Sequence, residues 1–210
     1  MKKLFKLSLR ATMIIIISLA TVVISYYNVR DLVDSFKTEH NRKMLKELVL
    51  LSKSLSALIH ETQKERGASA GYLGSKGKEF GDILQKQKII TNMKINEYEK
   101  ILSRINLNKY DMNLKKEISL LNDYLKKLNI IRNKVQNFKI SLKDEVKWYT
   151  NMNETILKII GQTSRLAPNK QIAMDLAAYV SFLKAKERAG IERAILSAVF
   201  GANNLKKECS

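Results

Sequence analysis

The stretch HETQKERGASAGYLGSKG, residues 60–77, decides how the rest of the chain is read. It sets Glu65 and Arg66 directly before Gly67, Ala68, Ser69, Ala70 and Gly71, and five of the eight glycines lie between Gly67 and Gly81. The surrounding sequence is rich in Lys, Ile, Leu and Asn. It holds a single proline, Pro168, and no run of alternating β-branched residues bounded by turn signals. Such a background reads as all-α. Small residues four apart line one side of a helix, as Gly67 does with Gly71 and Ala70 with Gly74. A glycine inside a helix costs about 1 kcal/mol relative to alanine, so a glycine stripe needs a packing reason.

A second stretch of the same kind, AKERAGIERAILSA, occupies residues 185–198. Glu187-Arg188 and Glu192-Arg193 sit there among Ala185, Ala189, Gly190, Ala194 and Ala198. Two faces of small residues let helix backbones approach closely, so the two stretches are expected to touch. Only nine arginines occur beside 29 lysines, and Arg66, Arg188 and Arg193 fall in these stretches. A chain that prefers lysine keeps arginine where a planar fork of donors matters. Two readings follow from the residue types. The arginines either pair with Glu65, Glu187 and Glu192 to lock the bundle, or they hold a small oxyanion. Arg188 and Arg193 stand about 140° apart on one helix, so both are not expected on one ligand.

Between and around the two stretches the apolar residues repeat with helical spacing. Leu45, Leu48, Leu55, Leu58 and Ile59 mark a helix running into the first stretch, which interrupts the repeat. Phe80, Ile83, Leu84, Ile90, Ile101 and Leu102 mark the next helix, and residues 106–113 break it. Leu114, Leu121, Leu128 and Val135 step by seven, with Ile118 and Leu125 between them. Leu142, Val146, Tyr149, Ile156, Ile159 and Ile160 carry a fourth helix, and Pro168 requires a restart near residue 170. Ile172, Leu176, Val180, Leu183, Ile191 and Ile195 form the last stripe. Short connections between such helices predict an antiparallel bundle.

Residues 11–27, ATMIIIISLATVVISYY, carry no charge; Lys2, Lys3, Lys6 and Arg10 precede them, and Tyr26 and Tyr27 close them. The pattern predicts an uncleaved transmembrane helix at 11–27 behind a cytoplasmic tail of residues 1–10. The rival, a cleaved signal peptide, lacks a clear small-x-small site before Tyr26. On this reading residues 28–210 form the main domain outside the membrane. The lone cysteine, Cys209, allows no intrachain disulfide.

The formal net charge is +18, but the lysines scatter along amphipathic segments and form no compact basic block. They read as solvated helix faces, with no nucleic-acid partner expected. His40 and His60 lie far apart, metal-ligand spacing is missing, and Tyr72 stands where a phosphate loop ending at Gly77-Lys78 would need glycine. No catalytic residue, metal or cofactor is expected, and the chain does not read as an enzyme.

The pair of blocks QKERGASAGYLGSKG and KERAGIERAILSAVF closely resembles the nitrate- and nitrite-sensing domain family, over roughly residues 40–205. That resemblance implies an all-helical sensory domain of bacterial chemotaxis receptors that binds nitrate or nitrite. It carries ligand binding onto Arg66 and Arg193, more weakly onto Arg188, with Ser69 as a further candidate. The small-residue stripes themselves give Gly67, Ala70, Gly71, Ala189, Gly190 and Ala194 as packing residues, and the residue types give Glu65, Glu187 and Glu192 as ion-pair candidates. The resemblance further implies a bacterial inner membrane location, an extracytoplasmic domain incomplete at its C-terminus, and a homodimer or pairing with a longer receptor.

Overall fold

The structure, a computed structural model, describes residues 9–167 and 170–202; within the first helix, the side chains of 9–12, 14–17, 20, 32–34 and 40 are outside the description. The expected tail at 1–10 (apart from the backbone of 9 and 10), Pro168, Cys209 and the His40 side chain therefore lie outside the described residues. Among the described residues there are five α-helices, α1 (Leu9–Gly74), α2 (Gly81–Leu102), α3 (Met112–Gln136), α4 (Leu142–Arg165) and α5 (Lys170–Gly201), with a short 3-10 helix at Leu107–Lys109 before α3. Among the described residues there is no strand.

The chain divides into two compact units, Met1–Met44 and Leu45–Ser210. The first consists, as described, of α1 residues up to Met44. Here the expected membrane anchor is corrected, because among the described residues no helix is long and apolar enough to cross a membrane. The uncharged run 11–27 lies between Arg10 and Arg30 within one helical element.

The second unit is a bundle in which successive helices alternate in direction around residues 45–74 of α1. Contacts fix the order. Gln87 of α2 reaches Glu61, Arg132 of α3 reaches Glu65, and Thr150 of α4 and Glu187 of α5 both reach Arg66. Along α4 the pairing with α1 is antiparallel: Ser52 meets Thr163, Thr62 meets Asn153 and Arg66 meets Thr150. Along α5 it is parallel, from His60 with Lys186 to Gly74 with Ala198. The heptad residues Leu114, Ile118, Leu121, Leu128 and Val135 are all buried, as are Tyr149, Ile156, Ile159 and Ile160 of α4.

Local chemistry sets the helix ends. Asp111 caps α3 by accepting from the Leu114 N–H, and Ser141 caps α4 by accepting from that of Asp144. The glycine-rich stretch does not interrupt α1, contrary to the sequence reading. Gly67, Gly71 and Gly74 lie within the helix, which ends where Gly77 takes φ +81° and its N–H returns to the Tyr72 carbonyl. In α5 the apolar stripe also shifts. Val180 and Leu183 are buried and Ile195 is exposed, because Gly190, Ala194, Ala198 and Gly201 turn inward instead.

Candidate functional site

The two small-residue stretches face each other. Ala70, Ala194 and Ala198 form a buried cluster, with Leu142 and Val146 packed against it. A Cβ on Gly74 would fall onto the Ala198 carbonyl and within 2.8 Å of its Cα; one on Gly201 would lie 2.8 Å from the Gly71 oxygen. Only glycine permits so close an approach of α1 and α5. Gly67 and Ala189, expected in this contact, are elsewhere. Gly67 has nothing within 4 Å of its Cβ position, and Ala189 is exposed. Gly71 is buried, and the Phe80 ring covers its Cβ position.

This close packing buries a charged layer just above it. Glu65 and Arg66 follow one another on α1, so their side chains point about 100° apart, towards different helices. Glu65 accepts from Arg132 Nε at 2.7 Å and from its Nη2 at 2.9 Å, and the Tyr149 hydroxyl donates to it at 2.8 Å. Burial, with the Glu65 and Glu145 carboxyls nearby, pushes the Tyr149 phenol well above its ordinary pKa, so it remains a donor. Arg132 Nη1 donates to Asn92 at 2.7 Å. This half of the layer is a satisfied bidentate pair.

The other half is not satisfied. Arg66 is fully buried; its Nη1 donates to Glu187 Oε1 at 2.5 Å and to Thr150 Oγ1 at 2.9 Å. Glu187 is held in turn by Gln63 Nε2 at 2.6 Å and Asn153 Nδ2 at 3.3 Å. The remaining Arg66 donors, Nε and Nη2, are buried without any partner. A buried polar group left unpaired costs about 1–3 kcal/mol. A planar anion with two acceptor oxygens on one edge matches a guanidinium presenting two adjacent N–H groups. Arg66 Nη2 lies 2.9 Å from where a Cβ on residue 190 would stand, so Gly190 leaves the space that the fork occupies. Gly190, Gln63, Gly67 and Arg193 are among the residues lining a pocket of about 270 Å³ beside it.

The remaining sequence candidates fall in different places. Ser69 is buried on α1, one turn beyond Arg66. Arg193 is exposed at the pocket wall, while Arg188 and Glu192 are exposed on α5 outside the pocket lining. Glu187 pairs with Arg66, whereas Glu65 pairs with Arg132, an arginine outside both stretches. The sequence reading missed Arg132, Thr150, Tyr149, Asn153 and Glu145. Two signals were available: an arginine beside the buried face of α3 in a lysine-rich chain, and a carboxylate one turn before Tyr149 on the apolar stripe of α4. His60 lies at a separate groove with its Nδ1 3.0 Å from Lys186 Nζ; partial burial and the Lys186 ammonium lower its pKa.

A family described as nitrate and nitrite sensing matches residues 57–208, which include both stretches. The chain is 26% identical over 158 residues to a nitrate regulatory protein of Klebsiella oxytoca, covering 75% of this chain and 40% of that protein. It also resembles the solved NasR transcription antiterminator, with a TM-score of 0.72 and 25% identity over 83% of this chain and 46% of the other. The chain thus spans less than half the length of either relative. These relatives correct several expectations at once. They are a regulatory protein and a transcription antiterminator, and among the described residues no helix can cross a membrane. The membrane-anchored, extracytoplasmic chemoreceptor of the inner membrane, its membrane partner and its pairing with a longer receptor are therefore withdrawn. So is the exclusion of nucleic acid, which the scatter of lysines had suggested. Scattered charge is a weak sign because sequence alone does not say which helix faces adjoin.

Proposed function

This chain belongs to the nitrate and nitrite sensing family, and from that premise we propose that its Leu45–Ser210 unit binds nitrate or nitrite on the buried fork of Arg66. The observation that carries this reading is the pair of buried Arg66 donors, Nε and Nη2, that no protein group satisfies. The Glu187 and Thr150 contacts hold Nη1 in place and leave the other edge of the guanidinium free for the anion. Arg193, at the pocket wall, attracts the anion to the entrance. Gly190 leaves room beside Nη2, and Ser69, buried one turn beyond Arg66, is a further candidate contact for a small ligand. The charge of Arg66 is already balanced by Glu187, so recognition rests on the geometry of the fork more than on net charge.

Arg66 Nη1 already ties α1 to Thr150 of α4 and Glu187 of α5. A bound anion adds a contact on the free edge of the same guanidinium, and removing it leaves Nε and Nη2 unpaired again. Such a difference between two states is what a sensor transmits. By analogy with the nitrate regulatory protein and the transcription antiterminator, the signal is passed to a regulator of gene expression. The test is thermal unfolding of the full chain with nitrate or chloride at matched ionic strength. A ligand bound only by the folded state adds about 2.7 kcal/mol at a hundredfold excess over its Kd, or about 5–11 °C for a domain of this size. Arg66→Lys keeps the charge and loses the fork. It is expected to unfold like the unliganded protein whether or not nitrate is present. Equal stabilisation of both proteins by nitrate would refute the assignment.

A further inference from the structure

Glu145 lies in the first turns of α4 with no exposed surface, and neither of its carboxyl oxygens has a hydrogen-bond partner. It is not one of the residues the anion site has used so far. The antiparallel register of α1 and α4 brings Arg66 to Thr150 and packs Val146 against the cluster of Ala70, Ala194 and Ala198. Glu145 therefore lies across from the Ser69–Gly71 turn, one helical turn further along the bundle than the Arg66 fork.

An ionised carboxylate with no partner at such a place is strongly disfavoured. The groups around it give no relief. From α1, Arg66 and Glu65 face it with opposite charge, and on its own helix Tyr149 is a neutral phenol. Behind them Arg132 of α3 is taken up by Glu65, and Glu187 of α5 takes up Arg66. Burial raises the Glu145 pKa well above the usual carboxylate range; Arg66 opposes the rise and Glu65 adds to it.

We propose that Glu145 completes the oxyanion site as a neutral acid, donating its O–H to an oxygen of the anion that Arg66 holds, so that anion and proton are bound together. This rests on the reading of Arg66 given above. The chemistry separates two states of the residue. As the acid, Glu145 supplies the one donor that the fork lacks on its far side. As the carboxylate, it places a second negative charge beside the incoming anion. Binding therefore retains the proton at Glu145, or takes one up at a pH where the empty site has lost it. No bond other than the hydrogen bond is made, and the proton stays on the carboxyl oxygen. The device favours an anion with an acceptor oxygen opposite the arginine edge, as nitrate has, over chloride.

The test uses the full chain with nitrate as the probe, in calorimetric titrations from pH 5 to 9 and in infrared difference spectra of nitrate addition. Glu145→Leu is expected to weaken nitrate binding by roughly ten- to a hundredfold, the loss of one hydrogen bond to a charged group. Glu145→Gln retains a neutral donor, so it is expected to bind within a few fold of the wild type with no pH dependence of its own. The nitrate-induced shift of a protonated carboxyl band should be present in the wild type and absent from Glu145→Gln. Wild-type affinity in Glu145→Leu, or a carboxyl band unchanged by Glu145→Gln, overturns the proposal. If Arg66→Lys loses nitrate while Glu145→Leu keeps it, the Arg66 reading stands and the role of Glu145 falls. A wild-type chain that binds no nitrate overturns both.

Discussion

Gly190→Ala separates the function of the bundle from its stability. A Cβ at residue 190 would stand 2.9 Å from Arg66 Nη2, while ordinary van der Waals contacts of a Cβ lie at 3.4–4 Å. The guanidinium must therefore retreat by about 0.5–1.1 Å, the difference between those distances. It cannot turn freely, because Glu187 and Thr150 hold Nη1. The retreat swings Nε and Nη2 away from the position where they would meet the anion. Two stability terms oppose each other. Alanine gains about 1 kcal/mol over glycine within a helix, and overpacking costs about 1–3 kcal/mol. The melting temperature is expected to fall by no more than about 8 °C. Binding has no such compensation: displacing a fork by about 1 Å is expected to weaken nitrate at least tenfold, or about 1.4 kcal/mol. Calorimetric titration alongside a melt measures both. Gly67→Ala is the companion variant. Its Cβ meets nothing within 4 Å, so it should be stabilised by about 0.4–1 kcal/mol. Wild-type nitrate affinity in Gly190→Ala would refute the argument that the space at residue 190 serves the Arg66 fork.

Three further outcomes are expected. Gly74→Ala places a Cβ on the backbone of Ala198, which cannot step aside as a side chain can, so the variant should lose about 1–3 kcal/mol in denaturant unfolding. Arg132→Leu strands the Glu65 carboxylate in the interior and should cost about 3–5 kcal/mol, enough to lower the urea midpoint sharply. The third concerns pH without ligand. The Glu145 pKa is raised in the folded state, so its contribution to stability is fully present below the unfolded value near 4.3 and is lost as pH rises through the folded value. Urea unfolding across pH 4–9 should show this decline, and Glu145→Gln should flatten it.

Much of the bundle was legible because its evidence is local. The heptad from Leu114 to Val135, the stripe from Tyr149 to Ile160 and the small residues from Gly190 to Ala198 each mark a buried face by spacing alone. The meeting of the two glycine-bearing stretches was legible as well, since close-packed backbones are the usual reason to place glycines in helices. The partners of each charge were harder to find. Arg66 and Glu187 each stood out by residue type within a motif, but Arg132, Thr150 and Glu145 come from helices whose register is set by the whole core. Motif spacing also misassigned the helix faces of α5: Arg188 and Ala189 have the right composition and face outward. The N-terminal reading rested on hydropathy over 17 residues, a length at the margin of what crosses a bilayer.

If Arg66 Nε and Nη2 are donors kept free for an oxyanion, nitrate must reach them directly. The most direct measurement is the side-chain Nε–H resonance of Arg66, assigned by its absence from Arg66→Lys and followed during titration with nitrate at constant ionic strength. Nitrate should produce a saturable shift and chloride none, with a midpoint equal to the calorimetric Kd. An Arg66 Nε–H resonance that stays in place while nitrate saturates the protein would contradict the Arg66 assignment.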